Sequence, residues 1–396
     1  MNAAVTSPLA TDHNGLTQLV ASLPSRNYYD PAHYALELDR VWYRNWLYAC
    51  RASELAAPRA FRTVEIGTQR VVIVRGDDGE LRAFHNTCRH RGAALCTESH
   101  GTLSGPGITC PYHAWSYNLR GELVRATSKH LPEGFNKSAL SLYPVSLREW
   151  DGFVFVCLAR DPPPFERSFI DGSVSRLDAW PMNELVVAHS FSKAMRCNWK
   201  VFWENYNECL HCPVVHPSLS RLVPIFARAL MDERDDPDWE RNRASADPQF
   251  GTARFRGGLR EGAVTWSRDG QSHVEGFRGL PEAERAAGHV YITILPTMFI
   301  AAHMDYVRTV RLRPLGPEET ELQVEFLTTP EILGDPRFDL PGIIEFTSEV
   351  MLEDAAVAEL NQQGLRSIAH AEGVLMPEEY AVYTFQRWVT DELARG

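Results

Sequence analysis

Two short cysteine–histidine pairs, Cys88-x-His90 and Cys110-x-x-His113, lie 22 positions apart along the chain. Each pair combines a thiolate with an imidazole, so each loop can send its Cys to one iron and its His to a second iron. Two neutral imidazoles in place of two thiolates make their iron less negative, which raises the reduction potential to roughly −150 to +300 mV. The four residues therefore predict a two-iron, two-sulfide cluster that accepts single electrons.

A structural zinc site is the alternative for these four residues. Zinc sites favour about two to four residues between paired ligands, and the single residue inside Cys88-x-His90 is a tight spacing for one tetrahedral ion. The residues CRHRG and CPYHAW, followed by Gly121, resemble the Rieske [2Fe–2S] domain family over about residues 45–160. This resemblance favours the cluster.

A second group of candidate ligands lies in ENYNECLHCPVVHPSL, where Glu208, His211 and His216 follow an acid-x2-His-x4-His spacing. Residues five apart on an unbroken helix diverge by more than a quarter turn, so a kink between the two His would bring both imidazoles to one point. A lone His pair is weak evidence, because most helical His are ordinary surface or core groups. The cluster predicted upstream strengthens the case for a metal site here, because it supplies single electrons and a common acceptor for them in oxygen chemistry is non-haem Fe(II), held by two His and one carboxylate.

The carboxylate ligand must come from elsewhere in the chain. Asp354, within EVMLEDAAVAELNQQG, is the best candidate, because its neighbours Leu352 and Ala355 are apolar and the acid can face inward. Glu353 and Glu359 are the alternative ligands. A solvated helix face is the other interpretation of these acids.

Residues 198–217 and 351–364 resemble the catalytic α-subunit of Rieske non-haem iron oxygenases. The resemblance implies that a mononuclear Fe(II) is held by His211, His216 and Asp354. It also implies the fold class, α+β: a small all-β Rieske domain and a helix-grip catalytic domain, in which helices wrap an antiparallel sheet.

The resemblance also gives Glu208 a role. In the family, an acid just before the first ligand His connects it to a cluster His of the neighbouring subunit, here His113. Most members carry Asp, and Glu resembles the branch that oxidises betaines and carnitine, with a reach longer by roughly 1.5 Å. Because two domains of one chain would separate the metals by ~40 Å, the resemblance implies a head-to-tail homotrimer.

The pattern along the chain predicts three segments. Residues 31–46 show helical spacing, and residues 1–44 are expected to pack on the catalytic domain as an N-terminal helical segment. From Phe61 the sequence alternates as strand, strand, Asp-Gly hairpin and strand into Cys88, which predicts a Rieske domain over 45–160. The catalytic domain would follow over 161–396, with a helix through 198–212 that Pro213 ends and a polar lid or disordered loop over 232–262.

Composition and charge restrict the partners, the cellular location and the state of the cysteines. The chain has 396 residues, of which 44% are hydrophobic, and a formal net charge of −11, which argues against a nucleic-acid partner. It has neither a long apolar run nor a basic start followed by an apolar core, so no membrane span or secretory signal is predicted and the cytoplasm is expected. Eight cysteines are too few for a disulfide framework, and those outside the cluster are expected to be free thiols: Cys50, Cys96, Cys157, Cys197, Cys209 and Cys212.

These features predict an oxygenase that uses O₂ and electrons from an NAD(P)H-dependent reductase, received directly or through a ferredoxin, because the chain has no nucleotide-binding fingerprint. The expected reaction is hydroxylation or N-demethylation of a small betaine-like ammonium compound. Hydroxylation of an aromatic acid is the alternative, and an electron carrier without mononuclear iron is the alternative of another class. Aromatic side chains that would line the substrate pocket, or simply fill the core, are Phe202, Trp203, Tyr206, Trp266, Tyr291 and Phe299.

Overall fold

The computed structural model describes residues 7–170, 174–239, 241 and 258–395. The described residues divide into two compact units. One comprises those of Val41–Gly172 and Ile294–Met298, and the other those of Met1–Arg40, Ser173–Thr293 and Phe299–Gly396. Most of the loop predicted over 232–262 lies outside the described residues.

The strands of the described chain form four sheets. In chain order they are β1 (Val20–Ala21), β2 (Leu47–Arg51), β3 (Ala60–Ile66), β4 (Gln69–Arg75), β5 (Leu81–His85), β6 (His100–Thr102), β7 (Gly107–Thr109), β8 (Ser116–Asn118), β9 (Leu123–Arg125), β10 (Pro144–Trp150), β11 (Phe153–Cys157), β12 (Val186–Met195), β13 (Val290–Ile294), β14 (Met298–Ala302), β15 (Val307–Gly316), β16 (Glu319–Thr328) and β17 (Val374–Leu375).

The helices follow in the same way. They are α1 (Pro31–Glu37), α2 (Trp199–Tyr206), α3 (Cys212–Val215), α4 (Pro217–Leu222), α5 (Glu282–Ala287), α6 (Pro330–Leu333), α7 (Leu340–Leu365) and α8 (Tyr380–Ala394). The helix predicted from Pro31 is α1 and continues as one π-helical stretch, Leu38–Trp42. In the described part of the chain, no helix is long and apolar enough to cross a membrane.

The smaller unit is all β. Its main sheet has the order β2-β11-β10-β5-β4-β3-β6, and β7-β8-β9 form a second sheet. The predicted alternation is present, with the hairpin of β4 and β5 turning at Gly79, whose φ of 83° suits glycine. Gly121 makes a second such turn, and a Cβ there would lie 2.5 Å from the Phe84 ring. These short strands hold the two loops that carry the Cys–His pairs.

The larger unit is α+β, with a sheet of order β12-β16-β15-β14-β13 and the 26-residue helix α7. The pairs β12–β16 and β15–β16 are antiparallel. Buried side chains of α7 include Phe346, Val350 and Ala358, at the helical spacing that packs one face against the rest of the unit. This architecture agrees with the predicted fold class.

One helix prediction is wrong. The helix expected over 198–212 ends at Tyr206, because Asn207 caps it: the Asn207 Nδ2 donates to the Trp203 carbonyl at 2.8 Å. Pro213 does not end a helix. It lies in the first turn of α3, where a backbone N–H would have no partner inside the helix, so proline is tolerated there. The motif therefore consists of three short helices with loops between them.

Candidate functional site

The two loops of the smaller unit have the same backbone hydrogen-bond pattern. The N–H of each Cys donates to the carbonyl five residues later, at 2.8 Å for both Cys88 and Cys110. Each Cys carbonyl accepts from the N–H four residues later, at 2.9 and 3.0 Å. That fourth residue, Gly92 or Ala114, has a positive φ of 77° or 56°. The repeated pattern presents the two Cys–His pairs in equivalent ways.

The four candidate ligands of this site lie next to side chains of their own type. The rings of His90 and His113 are 4.7 Å apart between centroids. The thiols of Cys88 and Cys110 are buried and free, and the pKa of Cys110 is raised by burial and by its neighbour Cys88. Thiol lies beside thiol and imidazole beside imidazole, as required if one iron takes two Cys and the other two His. The residues thus fit a two-iron cluster better than a single zinc ion.

Neighbouring groups hold these ligands in place. The buried Tyr117 hydroxyl lies 3.3 Å from the Cys88 Sγ and accepts the Arg89 N–H at 3.0 Å. The Trp115 ring stacks on His90 at a centroid distance of 4.9 Å and an interplanar angle of 8°. A hydroxyl donated to a thiolate stabilises its charge, and a stacked ring fixes the imidazole plane.

In the larger unit, His211 and His216 lie at the two ends of the four-residue helix α3. Their ring centroids are 5.1 Å apart. A single helical turn between two loops therefore brings the imidazoles together, where sequence reasoning expected a kink in a longer helix.

Asp354, in the middle of α7, faces both imidazoles. Its Oδ1 lies 2.9 Å from the His216 Nε2 and 3.4 Å from the His211 Nε2. Within the described ranges, these three residues form the group whose potential metal-ligating atoms all lie within 4.8 Å of one another. Two imidazoles and one carboxylate at this spacing fit a mononuclear Fe(II) with open coordination positions.

The charges at this group are coupled. Burial lowers the pKa of His211, but hydrogen bonds to Asp354 and Glu208 outweigh it and raise that pKa to about 9. Burial raises the pKa of Asp354, and the two imidazoles bring it below the usual range. Asp354 is therefore a half-buried, negatively charged carboxylate between two imidazoles, which favours binding of a cation.

Each ligand-type His has a second acid on its other ring nitrogen. The Glu208 Oε1 lies 2.5 Å from the His211 Nδ1, and the Glu353 Oε2 lies 2.8 Å from the His216 Nδ1. A carboxylate on Nδ1 holds its proton and directs the Nε2 lone pair inward. Sequence reasoning named Glu353 only as an alternative ligand and missed this role, although its position next to Asp354 was the available signal.

Glu359 lies away from the group, whereas the Cys212 Sγ lies 3.9 Å from the His211 Nε2. Glu359 pairs with Arg196 at 3.0 Å and does not face the imidazoles. The Cys209 and Cys212 thiols, expected to be free, form a disulfide. Their Cα atoms are only 5.0 Å apart because the chain turns between α2 and α3, a distance that suits a disulfide.

Most of the predicted aromatic residues meet in one cluster. Tyr206 stacks on Phe299 at 4.1 Å between ring centroids, Trp203 lies 6.3 Å from Phe299, and Trp266 lies 6.2 Å from Tyr291. Phe202 is buried, but no ring contact joins it to this cluster among the described residues. Sequence reasoning missed three polar members, which are His289, His303 and Arg308.

Comparison with known families gives two matches. Residues 182–395 match the model of the ring hydroxylating alpha subunit (catalytic domain). Residues 45–135 match that of the Rieske [2Fe-2S] domain.

Two of three curated relatives extend over nearly the whole chain. The glycine betaine monooxygenase oxygenase subunit of Chromohalobacter salexigens is 30% identical over 99% of this chain and 91% of that protein. The chloroplastic choline monooxygenase of Spinacia oleracea is 26% identical over 93% of this chain and 78% of that protein. The carnitine monooxygenase oxygenase subunit of Escherichia coli (strain K12) is 36% identical over 52% of this chain and 54% of that protein.

Solved structures share the fold. A quaternary ammonium Rieske monooxygenase in complex with gamma-butyrobetaine superposes with a TM-score of 0.70 at 24% identity, covering 94% of this chain and 96% of that chain. Naphthalene 1,2-dioxygenase from Rhodococcus sp. superposes with a TM-score of 0.70 at 18% identity, covering 95% of each chain.

Proposed function

The chain belongs to the ring hydroxylating alpha subunit family of Rieske oxygenases, with a [2Fe–2S] cluster and a mononuclear iron, and we propose that it oxidises a small betaine with O₂. The observation that carries the proposal is the convergence of His211, His216 and Asp354 within 4.8 Å beside an aromatic cluster. The full-length similarity to a glycine betaine monooxygenase subunit supports the substrate class. The family match over 182–395 argues against an electron carrier without mononuclear iron.

We assign the cluster to Cys88, His90, Cys110 and His113, and the mononuclear Fe(II) to His211, His216 and Asp354. Bound there, the cluster supplies single electrons and the iron activates O₂ for insertion into a C–H bond. The chain's own contribution is positional. Glu208 and Glu353 hold the Nδ1 protons of the two imidazoles, which leaves both Nε2 atoms available to the metal.

Glu208 is also proposed as the electron bridge to His113 of the partner subunit in a homotrimer. The Glu208 side chain borders a cavity of about 330 Å³ that Glu204, Asn205 and Glu379 also line. The Glu208 Oε2 already accepts the Leu210 N–H, and the cavity beside the carboxylate leaves room for one further hydrogen bond.

The proposed reaction hydroxylates an N-methyl carbon. One oxygen atom enters the C–H bond, and two electrons and two protons reduce the other to water. The resulting carbinolamine loses formaldehyde and leaves the demethylated amine. The electrons come from a partner reductase, as the family's oxygenase subunits require, and we propose NAD(P)H as their source, a ferredoxin as a possible intermediary and the cytoplasm as the location.

The test is turnover with a surrogate reductase, NADH and a panel of glycine betaine, carnitine, choline and benzoate. Oxygen uptake that depends on an ammonium compound, with equimolar formaldehyde, is the expected result. Oxygen uptake with benzoate alone and no formaldehyde would assign the enzyme to aromatic acids instead.

A further inference from the structure

Arg308 on β15 is a buried cation in the aromatic cluster, with 3% of its surface exposed. Its guanidinium carbon lies 5.6 Å from the centre of the Trp266 ring and 5.7 Å from that of Phe299. Its Nε and Nη1 are buried and have no hydrogen-bond partner. A buried charge is normally paired, so these two donors point to an anion that the fold itself does not provide.

The described residues supply no such anion. Among these residues, no carboxylate contacts the Arg308 Nε or Nη1, and the group that Arg308 hydrogen-bonds is the Tyr291 phenol. Asp305, the nearest acid in sequence, accepts a hydrogen bond from the Thr265 hydroxyl at 2.6 Å. Glu325 on the neighbouring strand accepts one from the Thr309 hydroxyl at 3.1 Å. The acids around β15 are therefore engaged by other groups.

Two further donors lie beside the guanidinium. The Trp266 Nε1 and the His289 Nδ1 are buried without a partner, and their rings are 5.2 Å apart. Burial and the Arg308 charge lower the pKa of His289 to about 4, so its imidazole is neutral at pH 7. Burial lowers the pKa of His303, so its imidazole is neutral and has one N–H. That N–H donates from Nδ1 to the Gly288 carbonyl at 3.3 Å, so the buried, unpartnered Nε2 is an acceptor and not a further donor.

This group of donors lies near the metal-ligand residues. Burial raises the pKa of Tyr291, the Arg308 charge lowers it, the Asp354 charge raises it, and a hydrogen bond from Arg308 lowers it further. The phenol therefore contacts Arg308 and lies within electrostatic range of Asp354. Tyr206, five positions before His211, stacks on the same Phe299 that Arg308 faces. Arg308 and the candidate iron ligands therefore border one region of the larger unit.

We propose that Arg308 binds the carboxylate of the substrate, with the Trp266 and His289 N–H groups as additional donors. A guanidinium matches the two oxygens of a carboxylate, and desolvation strengthens the contact. The same charge repels a bare ammonium ion, whereas a betaine brings its own compensating anion. Arg308 already occupies faces of Trp266 and Phe299, so the ammonium is left to Tyr206 and Tyr291.

The inference rests on the proposed function and sharpens it: the site selects zwitterionic betaines and rejects choline. Glycine betaine and choline share the trimethylammonium group and differ at the other end, which is a carboxylate in one and an alcohol in the other. They form a matched pair of ligands for this test.

The experiment is calorimetric binding of glycine betaine, choline and benzoate to the resting, metal-loaded enzyme, without turnover. We expect the unmodified protein to prefer glycine betaine to choline. Arg308→Gln should lower the affinity for glycine betaine by at least about 30-fold and leave the affinity for choline unchanged or higher. The affinity of Arg308→Lys for glycine betaine should lie between those of Arg308→Gln and the unmodified protein. Arg313→Gln, on the same strand but paired with Glu321 at 3.0 Å, is the matched control and should change neither.

Folding is checked by the visible spectrum of the cluster and by the melting temperature, and Arg308→Lys serves if the Gln variant does not fold. Glycine betaine affinity within about threefold of the unmodified protein in a folded Arg308 variant would overturn the inference. Binding of choline but of no carboxylate would overturn it and leave the ammonium function standing. If the unmodified protein binds benzoate alone and Arg308→Gln does not bind it, Arg308 is still the carboxylate-binding residue but the betaine function is rejected.

Discussion

At the scale of single residues, four acids occupy three distinct situations in the catalytic unit. Asp354 faces two imidazole Nε2 atoms, while Glu208 and Glu353 hold Nδ1 atoms. Glu204 is half-buried, and its Oε1 accepts the Tyr28 hydroxyl at 2.6 Å. Four carboxylates within two short sequence stretches therefore fall into three roles, which are set by the group that each one contacts.

Glu208→Gln is expected to keep both metals and slow electron transfer between them by at least about tenfold, since a neutral amide holds the His211 Nδ1 proton more weakly than a carboxylate. Rapid mixing of reduced enzyme with O₂ measures the rate of cluster oxidation. Glu353→Gln is the control, because Glu353 has the same relation to His216 but no proposed part in the electron path. Equal slowing in both variants would show that Glu208 only orients its imidazole.

Glu204 makes stability depend on pH. Burial raises its pKa from 4.5 to about 7, against the lowering effect of hydrogen bonds from Tyr28 and Gln386. The folded state then holds a proton that the unfolded state releases, so this residue's contribution is full below pH 4.5 and is lost as the pH rises to about 7.

Glu204→Gln removes this dependence without removing the acceptor for Tyr28. Its stability gain over the unmodified protein should be small near pH 4.5 and grow to on the order of 3 kcal/mol above pH 7. Urea unfolding at a series of pH values measures the difference. A gain that does not change with pH would mean that the carboxyl is already ionised in the folded protein.

At the scale of elements, the sequence was most informative where a motif and a secondary-structure pattern coincide. The strands before Cys88 alternate cleanly and are present as β3, β4 and β5. The helix over 198–212 was overextended because propensity does not reveal the side-chain cap at Asn207, which competes with continuation of the helix. The disulfide was missed for the same reason, since it depends on that turn.

Helix α2 is held by a buried ion pair. The Lys200 ammonium contacts the Glu37 carboxylate of α1, both side chains are fully buried, and the Asn198 Oδ1 accepts from Lys200 at 2.8 Å. Lys200→Met should destabilise the fold by about 3–5 kcal/mol, because the buried Glu37 carboxylate would lose its ammonium partner and keep only the Trp199 N–H at 2.8 Å and the His33 imidazole at 3.1 Å. The exposed pair of Arg196 and Glu359 is the comparison, and Arg196→Met should cost less than about 1 kcal/mol. Similar costs in urea unfolding would contradict this account of α2.

At the scale of the whole molecule, the sequence predicted the metal chemistry but not the substrate pocket. Ligand motifs are local, so Cys88 to His113 and Glu208 to His216 could be found by spacing. Arg308, His289 and Trp266 come from three separate segments that only the fold brings together. The sequence offered Trp266 only as one of several aromatic candidates for the pocket or the core, and it gave no sign of the role proposed for Arg308 and His289, because a single Arg or His has no local signature.

The proposed trimer predicts complementation between defective chains. Cys88→Ser removes a cluster ligand and Asp354→Ala an iron ligand, so each chain alone should be inactive. Co-assembled in equal amounts, they should regain about a quarter of normal activity per chain, the fraction of random neighbouring pairs that join an intact cluster to an intact iron site. Activity no greater than that of the separate variants would show that electrons do not pass between subunits.

The most direct test of the account is a single turnover without any reductase. The enzyme is reduced chemically, freed of reductant and mixed with O₂ and glycine betaine, and formaldehyde is counted against metal content. The cluster and Fe(II) together hold two electrons, so the account predicts about three irons per chain and about one formaldehyde per mononuclear iron. Asp354→Ala should retain the cluster spectrum, hold about two irons and release no formaldehyde. Formaldehyde at the normal yield from Asp354→Ala, or none from the fully loaded enzyme, would contradict it.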